Sequence, residues 1–114
     1  MDLTDRQLDL MNILWDRGSA TDAEAKERLD AELAYTSVLT VFQTLEEHGR
    51  VRHEREGRAY RYYPRLSRAE AGRNAVAYVL ERLFQGSVPA MIDAVREVGQ
   101  LDEGVERALE DVFE

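Results

Sequence analysis

The hydrophobic pattern of the chain changes its period at Gly49, and this change limits the possible folds more than any other feature. Before Gly49, apolar side chains recur every three or four residues, which predicts three amphipathic helices, at about 5–17, 22–32 and 35–48. After it, apolar and polar residues alternate in two short runs, 51–55 and 58–63. Three helices followed by a two-stranded hairpin predict a winged helix-turn-helix domain, whose third helix would enter the major groove of DNA.

Three capping boxes place the starts of helices, because a Ser or Thr and a Glu or Gln three residues later each bond the other's free backbone N–H. The boxes pair Thr4 with Gln7, Thr21 with Glu24, and Ser67 with Glu70. The last box opens a helical C-terminal third, with helices at about 67–84, 88–98 and 102–113. We therefore expect a mainly α fold with a small β-hairpin, in two domains: a winged helix-turn-helix DNA-binding domain at 1–66 and a helical dimerisation domain at 67–114.

Glu56-Gly57 is interpreted as the two-residue loop of the hairpin. Counting outward from this loop pairs His53 with Tyr60 and Val51 with Tyr62, and it places these four residues on one face. We expect Tyr60, Tyr62 and Tyr63 to belong to the core, the alternative being that they stack on bases. Arg55 and Arg58 then lie at the hairpin tip.

The third helix has two faces of different chemistry. Spacing at 100° per residue gathers one apolar set, Val38, Val41, Phe42 and Leu45, and one polar set, Thr36, Thr40, Gln43, Thr44 and Glu47. Glutamine suits adenine, and threonine methyls or Leu39 suit the thymine methyl, so the hydroxyls and the amide of this face are expected to read base edges. Glu46 and Glu47 are expected to repel phosphate. The alternative is that these threonines only cover a solvated helix.

The charge of the chain is unevenly distributed. The whole 114-residue sequence carries a formal net charge of −8, which argues against DNA binding, yet six arginines and only two glutamates lie within 49–65. Arg50, Arg55 and Arg58 are therefore expected to contact the DNA backbone, the alternative being a solvated charged face. A winged-helix protein-interaction adaptor that does not bind DNA is the alternative function.

Four segments resemble the penicillinase repressor family, also called BlaI/MecI: Leu3 to Trp15, Leu33 to Gly49, Glu56 to Pro64, and Leu80 to Gly86. The resemblance continues to the end of the chain. It implies a homodimeric winged-helix repressor that binds a palindromic operator upstream of β-lactamase or other stress genes. The family's base-reading positions fall on Thr36, Ser37, Thr40, Gln43 and Thr44.

The chain departs from its relatives at three places. Ala34-Tyr35 stands where some of them have Ser-Pro at the start of the recognition helix. Ser87-Val88-Pro89 stands where others are cut at an Asn-Phe bond by a membrane sensor metalloprotease, so the cleavage motif of that partner is not matched. The chain has no cysteine, which excludes the Cys-rich tail of the copper-responsive relatives.

The C-terminal helices carry more apolar surface than three short helices can cover by themselves, which predicts a twofold dimer. The expected interface residues are Val76, Leu80, Leu83, Phe84, Met91, Ile92, Val95, Leu101, Val105 and Leu109. The alternative is that these helices fold back on their own winged domain.

Catalysis and metal binding are not expected. The chain has two histidines, His48 and His53, no cysteine, and no catalytic or phosphate-binding motif, so no enzyme activity, metal or cofactor is predicted. No apolar run approaches the roughly 18 residues of a membrane span. The N-terminus lacks the pattern of a signal peptide, so a cytoplasmic protein without membrane insertion is expected.

Overall fold

A computed structural model describes residues 3–29, 35–99 and 107. It contains five helices, α1 to α5, and three strands, β1 to β3, among these residues. Their bounds are α1 Asp5–Arg17, β1 Ala20–Thr21, α2 Asp22–Arg28, α3 Tyr35–Glu47, β2 Val51–Glu56, β3 Ala59–Pro64, α4 Arg68–Arg82 and α5 Val88–Val98. The mainly α fold with a small antiparallel sheet confirms the predicted winged helix-turn-helix. The helix predicted at 102–113 lies outside the described residues, except for Arg107.

The chain divides into two compact units, Met1–Ala75 and Val76–Glu114. The division falls within α4, whereas the sequence predicted a domain boundary after residue 66. The first unit contains α1 to α3, the sheet and the first half of α4. The second contains the rest of α4 and α5. The assignment of the second unit to dimerisation stays a prediction.

The hairpin turn lies one residue later than the sequence analysis placed it. Glu56 pairs with Ala59, so the loop is Gly57-Arg58, and His53 pairs with Tyr62 instead of Tyr60. Gly57 has φ +62°, the value that the first central position of a type II′ turn requires. The predicted loop would have placed a glutamate at that position, where a side chain is strained.

The corrected register moves every pair by two residues and therefore leaves each side chain on its predicted face. Tyr62 is fully buried, as expected, and so is Val51. Tyr60 is 40% exposed and Tyr63 is half-buried, so the prediction that all three tyrosines belong to the core was wrong for Tyr60 and only partly right for Tyr63. Tyr60 pairs with Arg55, one pair from the turn, and contacts the His53 ring, whereas Tyr62 lies further from the turn and stacks on Phe42.

A third strand, which the sequence analysis missed, completes the sheet in the order β1-β3-β2. β1 is only two residues long, and Ala20 and Thr21 pair with Tyr62 and Arg61. Such a strand is too short to show an alternating pattern. It places β3 in the middle of the sheet and joins the hairpin to the link between α1 and α2.

The hydrophobic core of the first unit takes side chains from α1, α2, α3 and all three strands. Its buried members are Leu10, Met11, Ile13, Leu14, Ala20, Ala25, Val38, Phe42, Leu45, Val51 and Tyr62. The rings of Phe42 and Tyr62 stack with centroids 4.2 Å apart and planes 4° from parallel. This stack joins the middle of α3 directly to the hairpin, and aromatic pairs stabilise by more than their buried area alone.

The helix ends follow the local chemistry of the sequence. Both reciprocal hydrogen bonds form in the boxes at Thr4 and at Ser67. At Thr21 only the hydroxyl bond to the Glu24 N–H is present, because the Glu24 carboxylate binds Arg61. Gly49, at φ +73°, ends α3 in a Schellman motif that turns the chain into β2.

Trp15 of α1 attaches the segment after the hairpin to this helix. The indole Nε1 of Trp15 donates to the carbonyl of Leu66 at 2.8 Å. The Arg68 guanidinium lies 5.3 Å from the Trp15 ring centre and bonds the Asp16 carboxylate at 2.8 Å. These contacts place the start of α4 against α1.

Replacement of Phe42 by Ala is expected to lower the free energy of unfolding by about 3–5 kcal/mol, because it removes a fully buried ring and its stacking partner. Urea denaturation followed by the fluorescence of Trp15, the one tryptophan in the chain, measures this. Gln43→Ala, at the exposed neighbouring position, should change the value by no more than about 0.5 kcal/mol. Equal losses in both variants would contradict this account of the core.

Candidate nucleic-acid interface

The polar face of α3 is exposed along most of its length. Thr36, Ser37, Thr40 and Gln43 are exposed and Thr44 is half-buried, while the opposite face of the helix is packed in the core. The structure therefore brings the predicted base-reading residues together on one accessible side of a rigid helix. Their role in reading bases stays a prediction.

Two threonine hydroxyls on this face bond the helix itself. Thr40 Oγ1 donates to the carbonyl of Thr36 at 2.8 Å, and Thr44 Oγ1 donates to the carbonyl of Thr40 at 3.1 Å. Threonine side chains within helices commonly donate to the carbonyl four residues earlier. Because these bonds use the hydroxyl hydrogens, the two side chains keep their methyl groups and the remaining oxygen lone pairs for contacts with other groups.

A second contact, beyond the aromatic stack, holds the hairpin to α3. His53 Nδ1 of β2 hydrogen-bonds Glu46 Oε2 near the end of α3. The His53 ring also lies 4.3 Å from that of Tyr60, centre to centre. One of the two carboxylates expected to repel phosphate at this end of α3 is therefore engaged by the hairpin, whereas Glu47 is exposed.

The basic block at 49–65 contains two arginines that are neutralised within the protein. Arg52 bonds Glu54 at 2.9 Å and covers the ring of Tyr63 at 4.3 Å from its centre. Arg61 reaches across to α2, where it bonds Glu24 at 2.8 Å, and along the hairpin to Glu56, also at 2.8 Å. These two side chains support the hairpin.

Arg61, Glu24 and Glu56 form a cluster of paired charges, the Arg61 cluster, in which each member changes the pKa of the others. Hydrogen bonds from the guanidinium hold the pKa of Glu24 and that of Glu56 below the ordinary glutamate value. The bonds to Glu56 and then to Glu24 raise the pKa of Arg61. All three groups therefore stay charged over the working range of pH, and they join α2 to the hairpin by a bond that spans 37 residues of sequence.

Arg55 and Arg58 remain the uncompensated cations at the hairpin tip. Both are exposed, and neither forms an ion pair within the described part of the chain. Arg55 Nε donates only a long bond, 3.4 Å, to the carbonyl of Gly57. Arg50 is half-buried where β2 begins, and its carbonyl accepts the N–H groups of Arg65 and Leu66.

The sequence analysis missed the Arg61–Glu24 and His53–Glu46 contacts. Glu24 was expected to close a capping box and Arg61 to belong to a free basic block. Both contacts join segments that are distant along the chain, and no local spacing signals them. The excess of arginine within 49–65 was the only available clue.

The described residues contain neither a cluster of metal ligands nor a membrane-spanning helix. No group of three or more His, Cys, Asp or Glu residues there could hold a metal ion. None of the described helices combines the length and the apolar character needed to cross a membrane.

The second unit exposes apolar side chains. Tyr78 is 48% exposed, Leu83 73% and Val98 89%. Among the predicted dimer residues that the structure describes, none is buried: Val76, Leu80, Leu83, Phe84, Met91, Ile92 and Val95. Leu101, Val105 and Leu109 lie outside the described residues.

Comparisons with known proteins agree with this architecture. A family model described as penicillinase repressor matches residues 3–114. Among solved structures, the solution structure of the DNA-binding domain of the repressor BlaI matches with a TM-score of 0.55 and 22% identity, over 60% of this chain and 87% of that one. No curated protein shows significant sequence similarity to the chain.

The Arg61 cluster predicts a specific pH dependence of stability. Because the pKa of Glu24 is lower in the folded state than its ordinary value of 4.5, the ion pair stabilises the fold above that pH. This contribution is lost as the pH falls through the lowered pKa. Glu24→Gln should therefore lower the midpoint of thermal unfolding at pH 7, and the difference from the wild type should shrink below about pH 4.5.

The control for this experiment is Glu27→Gln, which removes an exposed carboxylate from the same helix. It should leave the midpoint nearly unchanged at both pH values. A deficit of Glu24→Gln that stays constant down to pH 3 would count against the ion pair as its cause.

Proposed function

Because the chain belongs to the penicillinase repressor family, we propose that it represses transcription as a homodimer bound to a palindromic operator. Family membership makes it a DNA-binding transcription regulator and not an enzyme. Our proposal adds three points to family membership: the homodimer, the palindromic operator and the residues that contact DNA. The regulated genes we propose are β-lactamase or related stress genes.

The observation that carries the proposal is the combination of an exposed polar helix face with an adjoining hairpin that has free cations at its tip. α3 cannot rotate to bury its polar face, because Phe42 stacks on Tyr62 and Leu45 is fully buried. A helix held in this way can enter the major groove while the hairpin lies along the neighbouring backbone.

The residues divide into two roles. We assign base reading to Thr36, Ser37, Thr40, Gln43 and Thr44, and backbone contacts to Arg50, Arg55 and Arg58. Arg55 and Arg58 suit the second role best, since they are exposed and carry no internal ion pair within the described residues. Phosphate contacts give affinity without sequence information, and base contacts give specificity.

The net charge of −8 is compatible with DNA binding because the acidic residues near the hairpin are engaged. Glu54 and Glu56 pair with arginines of the hairpin, and Glu46 is bonded by His53. The uncompensated charge at the hairpin tip is therefore positive. The net charge also favours the adaptor function, which the binding experiment separates from repression.

The purified full-length protein should retain, from fragmented DNA of its parent genome, fragments that share a palindrome. Affinity for a synthetic duplex of that palindrome should fall steeply with salt, because bound arginines displace counterions from phosphate. An adaptor that does not bind DNA would retain no shared sequence and would shift no duplex in a gel.

Two variants then separate the roles within this same experiment. Gln43→Ala should reduce the preference for the palindrome over random duplex by about 1–3 kcal/mol per half-site. Arg58→Ala should weaken binding to both duplexes equally and lower the salt slope by about 1 for each subunit. Arg73→Ala, an exposed arginine of α4, is the matched control and should leave the slope nearly unchanged.

The proposed homodimer gives a separate prediction about the second unit. Leu83 is 73% exposed, so Leu83→Glu should fold normally but should dissociate the dimer by placing a charge in an apolar interface. Sedimentation equilibrium at micromolar concentration should show a dimer for the wild type and a monomer for the variant. The monomer should also bind the palindrome much more weakly.

The control is Asn74→Glu, which adds the same charge at an exposed position on the opposite face of α4 by the helical period. This variant should remain a dimer. A wild-type chain that sediments as a monomer would remove the basis of the proposed assembly.

A further inference from the structure

Thr40 has no hydroxyl hydrogen left to offer a base. A threonine hydroxyl carries one hydrogen, and that of Thr40 is donated to the carbonyl of Thr36 at 2.8 Å. The side chain therefore presents its methyl group and the remaining lone pair of its oxygen. Thr44 is engaged in the same way, at 3.1 Å from the carbonyl of Thr40, but it is half-buried.

The groups that remain on Thr40 are unsuited to guanine and include a methyl group that is suited to thymine. In the major groove, guanine presents two acceptors, which need a donor that Thr40 has already used. Thymine presents a methyl group, which no other base carries and which an apolar group contacts favourably. A methyl on the exposed face of α3 is therefore suited to thymine.

Resting on the proposed function, we infer that Thr40 reads a thymine of the operator through its methyl group and not through its hydroxyl. The side chain is exposed at the centre of the polar face of α3, where the closest approach to base edges is expected. Gln43, exposed one turn further along, has both a donor and an acceptor and suits adenine. Neighbouring A·T pairs in each half-site then satisfy both residues.

A contact in which the Thr40 hydroxyl donates to a base would break a hydrogen bond within the helix. The Thr40 side chain would have to rotate away from the carbonyl of Thr36 and leave that bond unmade before its hydrogen could reach a base. The methyl contact needs no such rotation, because the hydroxyl stays where the structure has it. The existing bond therefore orients the methyl group and lowers the entropic cost of presenting it.

The test uses the full-length protein and a synthetic duplex of the palindrome shared by the retained genomic fragments. Each thymine of one half-site is replaced in turn by deoxyuridine, which removes only the C5 methyl group. At one position the exchange should weaken wild-type binding about fourfold, the value expected for one buried methyl group. No loss at any thymine would overturn the inference.

Two substitutions of Thr40 separate its methyl group from its hydroxyl. Thr40→Val keeps the branched shape and the methyl without the hydroxyl, and it should bind as tightly as the wild type. Thr40→Ser keeps the hydroxyl without the methyl, so it should bind about fourfold more weakly for each half-site and should no longer distinguish thymine from deoxyuridine at the sensitive position. The reverse order of affinities would assign the contact to the hydroxyl and overturn the inference.

Failure of the inference is distinguishable from failure of the proposed function. If no palindrome is retained, repression by operator binding is contradicted, and the inference with it. If a palindrome is retained but Thr40→Val loses affinity, the repressor function stands and only the methyl contact is wrong. Circular dichroism of both variants checks that α3 is intact, and the deoxyuridine series reports on the unmodified protein.

Discussion

The stack of Phe42 on Tyr62 is the contact on which the arrangement of this molecule depends. It joins the middle of α3 to the central strand of the sheet at a centroid distance of 4.2 Å, and both rings are fully buried. A helix held by one aromatic pair at its centre could still tilt about that point. The Glu46–His53 bond nearer its C-terminal end adds a second point of attachment, so the polar face keeps a defined orientation relative to the hairpin.

Electrostatic pairing gives the arginines of the hairpin different tasks. Arg61 and Arg52 have partners and are partly covered, so they act on the shape of the hairpin. Arg55 and Arg58 form no ion pair within the described residues and face solvent. A net charge summed over a segment hides this difference. The sum indicated a basic block, and the structure shows that Arg52 and Arg61 are paired while the two arginines at the turn are exposed.

The sequence predicted the features that short-range rules control. Hydrophobic period gave α1, α3 and α5 to within a residue or so, and the reciprocal bonds at Thr4 and Ser67 followed from residue types alone. The prediction was wrong where a choice between nearly equal local options depends on backbone conformation. Gly57 fits either central position of a two-residue turn, and the observed pairing of Glu56 with Ala59 identifies it as the first. Contacts between distant segments, such as Arg61 with Glu24, carry no local signal.

The sheet has two edges, and both are poor templates for strand addition. One edge is β1, which offers two residues, and the other is β2, where Arg52, Glu54, Arg55 and Glu56 crowd the strand with charge. Short or heavily charged edges resist pairing with the sheet of another copy. Self-association through an extended intermolecular sheet is therefore disfavoured. We expect the hairpins of different copies to stay unpaired even where copies of the chain lie close together on adjacent sites.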